Sequence, residues 1–324
     1  MTKIIAELCQ NHLGDRNLLG RMIEAAAEAG ADYIKTQVIF SDDLTKRERF
    51  EQGITLPDGT VKTIKRPYEA EKARLAKLDL SMEDHAWVIE KCKQVGVTPL
   101  TTIFARHRIK PTAKLPWPEK IVKVASYDCA SYPFLRELAE HFDHLIVSTG
   151  ATFDHEIEKA AKLLKSLGKK FTFLHCVTSY PNSLEMCHLN RMNWLRKHAE
   201  QVGWSDHTHV ATHGVIASKV AIALGADMIE RHFTILDSDK TKDGPVSINP
   251  EQLKELDEFR RMSKKEQIEH LDTLHPNWTV TLGEETREMT PTELLNRDYY
   301  RGRFASPHPE KGWLYNWEEN NHQS

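Results

Sequence analysis

The sequence has no long apolar segment and no large excess of either charge. No apolar run approaches the ~18 residues that a membrane-spanning helix needs, and Lys3–Leu8 begins a strand with no room for a signal peptide before it. The net charge of −3 over 324 residues gives no electrostatic reason to expect a nucleic-acid or membrane partner. We therefore expect a soluble, cytoplasmic protein whose ligands are small molecules.

Cysteine is also scarce. The sequence has five cysteines, which is an odd number, and none of them forms a CxxC pair. This usage is typical of reduced thiols in a cytosolic protein rather than of disulfide bonds. The five residues are Cys9, Cys92, Cys129, Cys176 and Cys187.

A third absence concerns glycine, because no glycine-rich nucleotide-binding turn follows the first apolar run. What is present is an alternation of strand-like apolar runs with segments of helical periodicity. Eight strands, each followed by a helix or helical turn, over ~260 residues predict an α/β fold of the (β/α)8, or TIM, barrel type. A doubly wound open sheet is the alternative, which the missing turn disfavours. The predicted strands are Lys3–Leu8, Asp32–Ile39, Val95–Thr102, Ile121–Ala125, His144–Val147, Lys170–Cys176, Val202–Thr208 and Met228–Thr234.

The same pattern divides the chain into a barrel and an extension. The barrel is expected over residues 1–264, with a long insertion at about 40–80 in which Ile54–Ile64 has the pattern of a hairpin turning at Asp58-Gly59. Residues 265–324 form a C-terminal extension that is rich in aromatic residues. We expect these aromatics to pack on the barrel itself or on a partner subunit of a homodimer or larger homo-oligomer. They are Trp278, Tyr299, Tyr300, Phe304, Trp313, Tyr315 and Trp317.

Two histidines lie at the ends of successive predicted strands. His207 ends Val202–Thr208 and His232 ends Met228–Thr234. Strands that are joined by a helix are parallel neighbours, so both imidazoles can reach one point. Neutral imidazole is the commonest protein ligand for a borderline divalent metal. The pair therefore favours a metal site over the alternative of two unrelated polar residues at loop starts.

Two lysines lie inside otherwise apolar strands, Lys35 in YIKTQV and Lys123 in IVKVAS. A lysine in such a position is costly unless its ammonium meets an anion. One interpretation is a cradle for a phosphate or carboxylate, to which several hydroxyl groups at strand ends would contribute. The alternative is that each lysine pairs with a neighbouring carboxylate such as Glu7. The hydroxyl groups are those of Ser126, Ser148, Thr149 and Ser205.

Several segments together resemble the sialic acid synthase family, whose members make N-acetylneuraminate, legionaminate and pseudaminate. The resemblance implies a barrel enzyme, a transferase that condenses phosphoenolpyruvate with an open-chain amino-hexose aldehyde similar to N-acetylmannosamine. The products would be a nonulosonic acid and phosphate. It also implies a divalent metal, with manganese expected first and magnesium or cobalt as alternatives. The matching segments are Ala6–Asp15, Ile34–Gln37, Val122–Asp128, Val147–Gly150, Leu174–Pro181, Gly203–Thr208 and Glu230–Thr234.

The resemblance implies a role for each matching residue. His207 and His232 match the metal ligands, and Glu7 matches a carboxylate near the sugar C1 oxygen. Gln37 and Tyr180 match residues near the sugar and the shared site. Glu7, the two histidines and the two strand lysines are the predicted catalytic residues. Thr178 matches a further contact to phosphoenolpyruvate, at a position that is asparagine or serine in relatives. The other residues that match phosphoenolpyruvate contacts are Lys35, Thr102, Lys123, Ser126, Ser148 and Ser205.

The sequence departs from the family pattern at the acceptor end. Where the family commonly has Gly-Pro-Asp, with the aspartate on the sugar, this chain has Val246 in place of the aspartate. Asp243 is the candidate replacement, and we expect it to bind substrate. No complete C-terminal antifreeze-like domain is expected, because Asp298–Trp313 resembles only the entry to one. We therefore expect the acceptor end to be built from the insertion and the extension, with candidates Arg66, Tyr68, Arg301 and Arg303.

Three other functions remain as alternatives. The nearest is a synthase of another 3-deoxy-2-ulosonic acid, acting on a different or phosphorylated aldose. A metal-dependent hydrolase barrel would call for further ligands, such as an HxH pair on the first strand, and Ala6–Asp15 has none. A non-catalytic sugar-binding barrel is disfavoured because both lysines and both histidines are present.

Overall fold

The computed structural model describes residues 1–319 and contains a closed barrel of eight parallel strands. Going round the barrel, the hydrogen-bonded order is β1-β10-β9-β8-β7-β6-β5-β2, which confirms the predicted (β/α)8 fold. The strands in this range are β1 (Lys3–Glu7), β2 (Tyr33–Val38), β3 (Ile54–Thr55), β4 (Val61–Thr63), β5 (Thr98–Ile103), β6 (Ile121–Val124), β7 (His144–Ser148), β8 (Lys170–Cys176), β9 (Gln201–Asp206), β10 (Met228–His232), β11 (Ser306–His308) and β12 (Gly312–Leu314).

Helices follow the barrel strands and are bounded by local capping signals. Ser81 and Asp84 form a capping box at one helix start, and Gly96 ends that helix in the left-handed conformation. Among residues 1–319 no helix is both long enough and apolar enough to cross a membrane. The α-helices are α1 (Arg16–Glu28), α2 (Arg49–Gln52), α3 (Tyr68–Ala76), α4 (Met82–Val95), α5 (Ile109–Ala113), α6 (Tyr132–His141), α7 (Asp154–Ser166), α8 (Arg191–Arg196), α9 (Val210–His213), α10 (Ile216–Ala223), α11 (Pro250–Arg261), α12 (Lys264–Leu274) and α13 (Pro291–Tyr300).

The strands are buried on both faces, and the two faces form different cores. Side chains alternate along a strand, so Ile4 packs outward against the helices while Ile5 packs inside the barrel. The inward cluster fills the barrel at the amino ends of the strands, where it closes the interior to water. It consists of Ile5, Leu100, Ile121, Ile146, Leu174 and Met228.

The inward rows change from apolar to polar at the carboxyl ends of the strands. The residue two positions after Ile5 is Glu7, the residue two after Ile121 is Lys123, and Met228 is followed in the same row by Glu230. Because residues i and i+2 face the same side of a strand, the polar groups lie directly above the apolar plug. The barrel thus places its ionisable side chains in one interior layer.

The insertion and the extension lie against each other. The insertion contains the predicted hairpin, formed by β3 and β4, with Gly59 at a φ of 85° in its turn. The guanidinium of Arg47 donates hydrogen bonds to the carbonyls of Tyr299 (2.6 Å) and Arg301 (3.1 Å). Leu44 also forms an isolated bridge with Phe304. Two segments that are far apart in sequence therefore form one structure beside the barrel.

The extension packs on its own barrel, which is one of the two placements expected for its aromatic residues. Tyr300 stacks on Tyr127 with ring centroids 5.0 Å apart, and Phe304 contacts Phe104 edge-on at 5.6 Å. Leu271 of α12 belongs to the same hydrophobic core as the barrel helices, so the packed body continues past residue 264. Residues 320–324 of the predicted extension lie outside the described residues.

Candidate active site

A cavity of about 440 Å³ opens at the carboxyl ends of the barrel strands. Twelve of the thirteen residues singled out from the sequence line it, which brings together side chains from seven barrel strands and their loops. This is where a (β/α)8 enzyme carries its catalytic groups. The twelve are Glu7, Lys35, Gln37, Thr102, Lys123, Ser126, Ser148, Tyr180, Ser205, His207, His232 and Asp243.

Thr178 is the exception, because it does not line the cavity. It is fully buried, and its main chain binds helix α13: its amide donates to Glu293 (3.3 Å) and its carbonyl accepts from Asn296 (2.7 Å). The contact between Thr178 and phosphoenolpyruvate stays a prediction. Its position is explained by the docking of the extension, which the sequence pattern did not reveal.

The two strand lysines lie between two buried carboxylates. Lys35 forms an ion pair with Glu7, donates to Thr102 Oγ1 (3.0 Å) and lies 3.7 Å from Glu230. Lys123 donates to Ser148 Oγ (2.6 Å) and lies 3.8 Å from Glu230. The pairing of Lys35 with Glu7, considered as the alternative to an anion cradle, is present. Both lysines nevertheless line the cavity, where a substrate anion can compete for them.

The ionisation of this layer follows from burial and from mutual charge. Burial raises the pKa of Glu7 even though Lys35 acts in the opposite direction. Burial also acts to raise the pKa of Glu230, but Lys123 and Lys35 outweigh it and lower that pKa to about 2. Burial lowers the pKa of Lys123, whereas the two carboxylates outweigh burial at Lys35 and raise its pKa. Glu230 is thus the fixed anion of the layer, and Glu7 is the carboxylate nearer to protonation.

His207 is brought beside His232 by a close approach of two strands. A Cβ atom at Gly203 in β9 would lie only 2.0 Å from the carbonyl oxygen of Met228 in β10, so glycine is required there. Beyond that point the imidazole rings of His207 and His232 have centroids 5.4 Å apart. The turn that carries His207 is held by Asp206, which accepts a hydrogen bond from the Thr208 amide (2.8 Å).

Each imidazole has a ring nitrogen that can serve as a metal ligand. Burial and the neighbouring His232 lower the pKa of His207 to about 3, so its ring is neutral. His207 Nδ1 lies 3.2 Å from the carbonyl oxygen of Val177, and since a carbonyl only accepts, Nδ1 carries the proton and Nε2 is left as a donor to a cation. His232 Nδ1 is buried without a hydrogen-bond partner. The pair therefore fits a divalent cation.

Two further groups lie close to His232. The Cys9 sulfur, a ring nitrogen of His232 and a carboxylate oxygen of Asp243 all lie within 4.8 Å of one another. Asp243 is thereby placed beside the histidine pair, and Cys9, which the sequence suggested only as a reduced thiol, joins the site. All five cysteines are free and buried.

The cavity also contains polar residues that the sequence pattern did not single out. Glu230 was given no role, although it lies in the same inward row as His232. The others come from loops, the insertion and the extension, where no periodicity points to a cavity. They include Arg74, Asp128, Lys242, Asn296, Tyr300 and Asn316. Of the four candidates for the acceptor end, Arg66 and Arg303 line the cavity, while Tyr68 and Arg301 do not.

Comparison with known proteins identifies the family. The model of the NeuB family matches residues 22–269. An N,N'-diacetyllegionaminic acid synthase of Campylobacter jejuni is 34% identical over 266 residues, which cover 79% of this chain and 74% of that synthase. This chain belongs to the NeuB family. A pseudaminic acid synthase of Campylobacter jejuni is 30% identical over 320 residues, covering 98% of this chain and 85% of that synthase.

A solved structure of a sialic acid synthetase has the same fold. The N-acetylneuraminic acid synthetase of Leptospira borgpetersenii, crystallised with citrate, superimposes with a TM-score of 0.67 at 27% identity, covering 84% of this chain and 92% of that one. Family and fold agree with the site described above. This NeuB-family chain is an enzyme, a transferase that condenses phosphoenolpyruvate with a sugar to form a sugar acid.

Proposed function

We propose that this NeuB-family chain condenses phosphoenolpyruvate with an open-chain amino-hexose aldehyde similar to N-acetylmannosamine, giving a nonulosonic acid and phosphate. We further propose a divalent cation at His207 and His232, with manganese first and magnesium or cobalt as alternatives. The observation that carries the proposal is one cavity in which Lys35 and Lys123 lie beside strand-end hydroxyl groups and the neighbouring imidazoles of His207 and His232.

The lysine layer would hold phosphoenolpyruvate. Lys123 Nζ and Ser148 Oγ lie 2.6 Å apart, which makes them a ready pair of donors for one anionic group. Lys35 would hold a second anionic group when the substrate draws it from Glu7. Fixing both ends of the molecule leaves carbon 3 directed at the aldehyde, so these residues act by positioning and by electrostatics.

The bond changes then balance as follows. The π electron pair between carbon 2 and carbon 3 of phosphoenolpyruvate forms the bond from carbon 3 to the aldehyde carbon, and the aldehyde oxygen takes up a proton. Water adds at carbon 2 and loses a proton. The bond from carbon 2 to the phosphate oxygen then breaks as the new hydroxyl gives up its proton, which leaves a ketone and phosphate. A cation at the two histidines would supply Lewis acidity at the aldehyde oxygen. Glu7 is the group placed to hold or deliver a proton at that oxygen, because burial raises its pKa and Gln37 Nε2 orients it by a 2.6 Å hydrogen bond.

A phosphorylated aldose is the second candidate acceptor, because the positive charges at the cavity mouth favour an acceptor that carries an anionic group. Arg74 and Arg303 both bind Glu71 there, so a single carboxylate serves two guanidinium groups. Burial, followed by the positive charges of Arg303 and Arg74, lowers the pKa of Lys242. Within residues 1–319 the Lys242 ammonium forms no ion pair. An anionic group on the acceptor would relieve this excess of positive charge.

Phosphate release from phosphoenolpyruvate tests the function directly. The aldose precursors of N-acetylneuraminic, legionaminic and pseudaminic acids would be supplied one at a time, each with and without a terminal phosphate. Turnover with an unphosphorylated amino-hexose supports the first candidate, and turnover confined to phosphorylated aldoses supports the second. No release with any aldose, in the presence of each of the three metals, would contradict both.

Arg66→Ala tests the proposal that the insertion contributes to the acceptor end. Arg66 is exposed and lines the cavity, so the variant should fold, raise the KM for the aldose and leave the KM for phosphoenolpyruvate unchanged. Lys62→Ala is the matched control, since Lys62 is exposed in β4 of the same insertion and does not line the cavity. Truncation before Pro276 is a less specific test, because it also removes the buried Glu293 that binds Thr178.

A further inference from the structure

Three side chains from separate parts of the chain converge beside the histidine pair. Cys9 follows β1, His232 ends β10, and Asp243 lies in the loop after β10. Their ligand-type atoms, one thiol sulfur, one ring nitrogen and one carboxylate oxygen, all lie within 4.8 Å of one another. Sulfur, nitrogen and oxygen donors at such separations have the chemistry of a transition-metal site.

We propose that Cys9 and Asp243 are metal ligands, which complete with His207 and His232 a Cys-His-His-Asp site for a transition-metal ion. This inference rests on the proposed function, because it assumes that the histidine pair holds a cation. It goes beyond that proposal by assigning two further ligands and by changing the order of affinity expected among divalent metal ions.

The histidine gives independent support for a ligand at this point. His232 is 8% exposed, and its Nδ1 atom is buried without a hydrogen-bond partner. A buried polar atom that lacks a partner is costly, and such atoms are uncommon in folded proteins. The Asp243 carboxylate likewise accepts no hydrogen bond from any residue between 1 and 319. A cation would satisfy both groups together.

Cys9 differs from the buried cysteines of the hydrophobic core. Cys92, Cys129 and Cys187 belong to the main apolar cluster, whereas Cys9 belongs to none of the apolar clusters in the described chain. Its backbone has a φ of 40°, in the left-handed region that residues other than glycine, asparagine and aspartate seldom adopt. The loop therefore holds a sulfur atom beside His232 at a backbone position that would suit glycine better.

The donor set determines which ions should bind. Thiolate and imidazole prefer borderline ions such as iron(II), cobalt(II) and zinc(II), whereas magnesium prefers an all-oxygen shell and retains its water. A thiolate and a carboxylate also carry two negative charges, which balance a divalent ion in a buried site. We therefore expect the intact protein to bind cobalt(II) and zinc(II) well above manganese(II), and magnesium least.

Cobalt(II) reports on a sulfur ligand directly. The full-length protein, stripped of metal and titrated with cobalt(II), should show a near-ultraviolet thiolate-to-cobalt charge-transfer band. Cys9→Ser should lose this band. It should also bind cobalt(II) at least ~10–100-fold more weakly, because even the loss of a residue that hydrogen-bonds to a metal ligand typically weakens metal binding by this factor. Asp243→Asn should keep the band and lose affinity. Cys92→Ser is the matched control, a buried thiol in the core that should change neither property.

The outcomes separate this inference from the proposed function. A cobalt-loaded wild type without the band, together with unchanged affinity in Cys9→Ser and Asp243→Asn, would overturn the four-ligand site while leaving the histidine pair and the synthase reaction in place. The band with the expected losses of affinity would support the site even if no aldose gave phosphate release, a result that would contradict only the function. Asp243 lies in a half-buried loop, so Asp243→Asn provides a test if Cys9→Ser fails to fold.

Discussion

At the scale of single residues, the active site consists of polar side chains that follow the apolar core residues on the inward face of the barrel strands. Ile5 and Glu7 share one face of β1, and Met228, Glu230 and His232 share one face of β10. Alternation in the strand directs each of these side chains inward, and the apolar residue below excludes water from the polar residue above. The ionic layer is therefore both buried and accessible from one side.

Replacing either His207 or His232 by alanine should abolish turnover without unfolding the protein. Each substitution removes one of two neighbouring imidazoles at a strand end, outside the apolar clusters. We expect kcat/KM to fall by more than ~100-fold, because the loss of a residue that merely hydrogen-bonds to a metal ligand can already cost that factor. The far-ultraviolet circular dichroism spectrum should be unchanged.

Chelation supplies the control for the histidine variants. A chelator should reproduce the loss in the wild type, and manganese(II) or another divalent ion should restore it. Full activity in the metal-stripped wild type would contradict the cation that we propose.

Lys123→Ala should weaken phosphoenolpyruvate binding roughly 10- to 150-fold, because a charge-assisted hydrogen bond contributes about 1.5–3 kcal/mol. Lys123→Arg should not restore affinity, since a planar guanidinium cannot replace a compact ammonium in this layer. Calorimetric titration with phosphoenolpyruvate measures both. Lys170→Ala is the matched control, an exposed lysine at the opposite end of a barrel strand, and equal affinities in all four proteins would place the anion site elsewhere.

At the scale of elements, helix α13 connects the extension to the barrel through one buried acid. Glu293 is completely buried, caps the helix through the amide of Thr290 (3.0 Å) and forms an ion pair with Arg287. Burial acts to raise the pKa of Glu293, but Arg287 outweighs it and holds that pKa below its usual range. One side chain thus starts the helix, neutralises a guanidinium and binds the barrel at Thr178.

Arg287→Ala should lower the free energy of unfolding by about 3–5 kcal/mol, the cost of leaving a buried charge without its partner. The contribution of a carboxylate with a depressed folded-state pKa is present above its unfolded pKa and is lost as pH falls through the folded value. The loss in Arg287→Ala should therefore be largest near neutral pH and smaller in acid.

Denaturant unfolding at several pH values measures this difference. Lys265→Ala removes an exposed pair with Glu269 and should cause no measurable change at any of these pH values. A loss in Arg287→Ala that does not depend on pH would mean that the Glu293 charge is not the cause.

At the scale of the whole molecule, the chain completes its own cavity. Barrel strands supply the floor, the insertion supplies Arg66 and Arg74, and the extension supplies Tyr300 and Arg303. The contact between the barrel and the extension includes the buried Asp128, which accepts hydrogen bonds from Ser131 Oγ (2.9 Å) and Asn316 Nδ2 (3.1 Å). Burial raises the pKa of Asp128 to about 6.

The raised pKa of Asp128 predicts a pH dependence of stability opposite in sign to that of Glu293. The folded protein retains a proton on Asp128 that the unfolded chain releases near its ordinary pKa of 3.8. Its favourable contribution is therefore complete below that value and is lost as pH rises through about 6. A shift of about two units corresponds to roughly 3 kcal/mol.

Asp128→Asn should remove this dependence, because the amide oxygen can accept the same two hydrogen bonds without a charge. The variant should gain stability relative to the wild type as pH rises from about 4 to about 7, measured by denaturant unfolding. A stability difference that stays constant over this range would show that Asp128 is ionised throughout in the folded protein.

The sequence by itself determined the barrel and nearly the whole inner layer of the site. Strand alternation is local, so the identity of Lys35, Lys123, His207 and His232 at strand ends was sufficient to predict that they meet in one cavity. Thr178 does not line the cavity, and neither do Tyr68 and Arg301 of the candidates for the acceptor end; Thr178 is bound by Asn296 of α13, a contact that no local pattern predicts.

The tertiary structure decided what no local pattern carries. The position of Arg303 at the cavity, the absence of Arg301 from it and the docking of α13 depend on contacts across more than a hundred residues of sequence. The same holds for Cys9 and Asp243, which are two ordinary loop residues until the closed barrel places β1 beside β10. Periodicity fixes the direction of a side chain within its own element, whereas its partners are fixed only when the elements pack together.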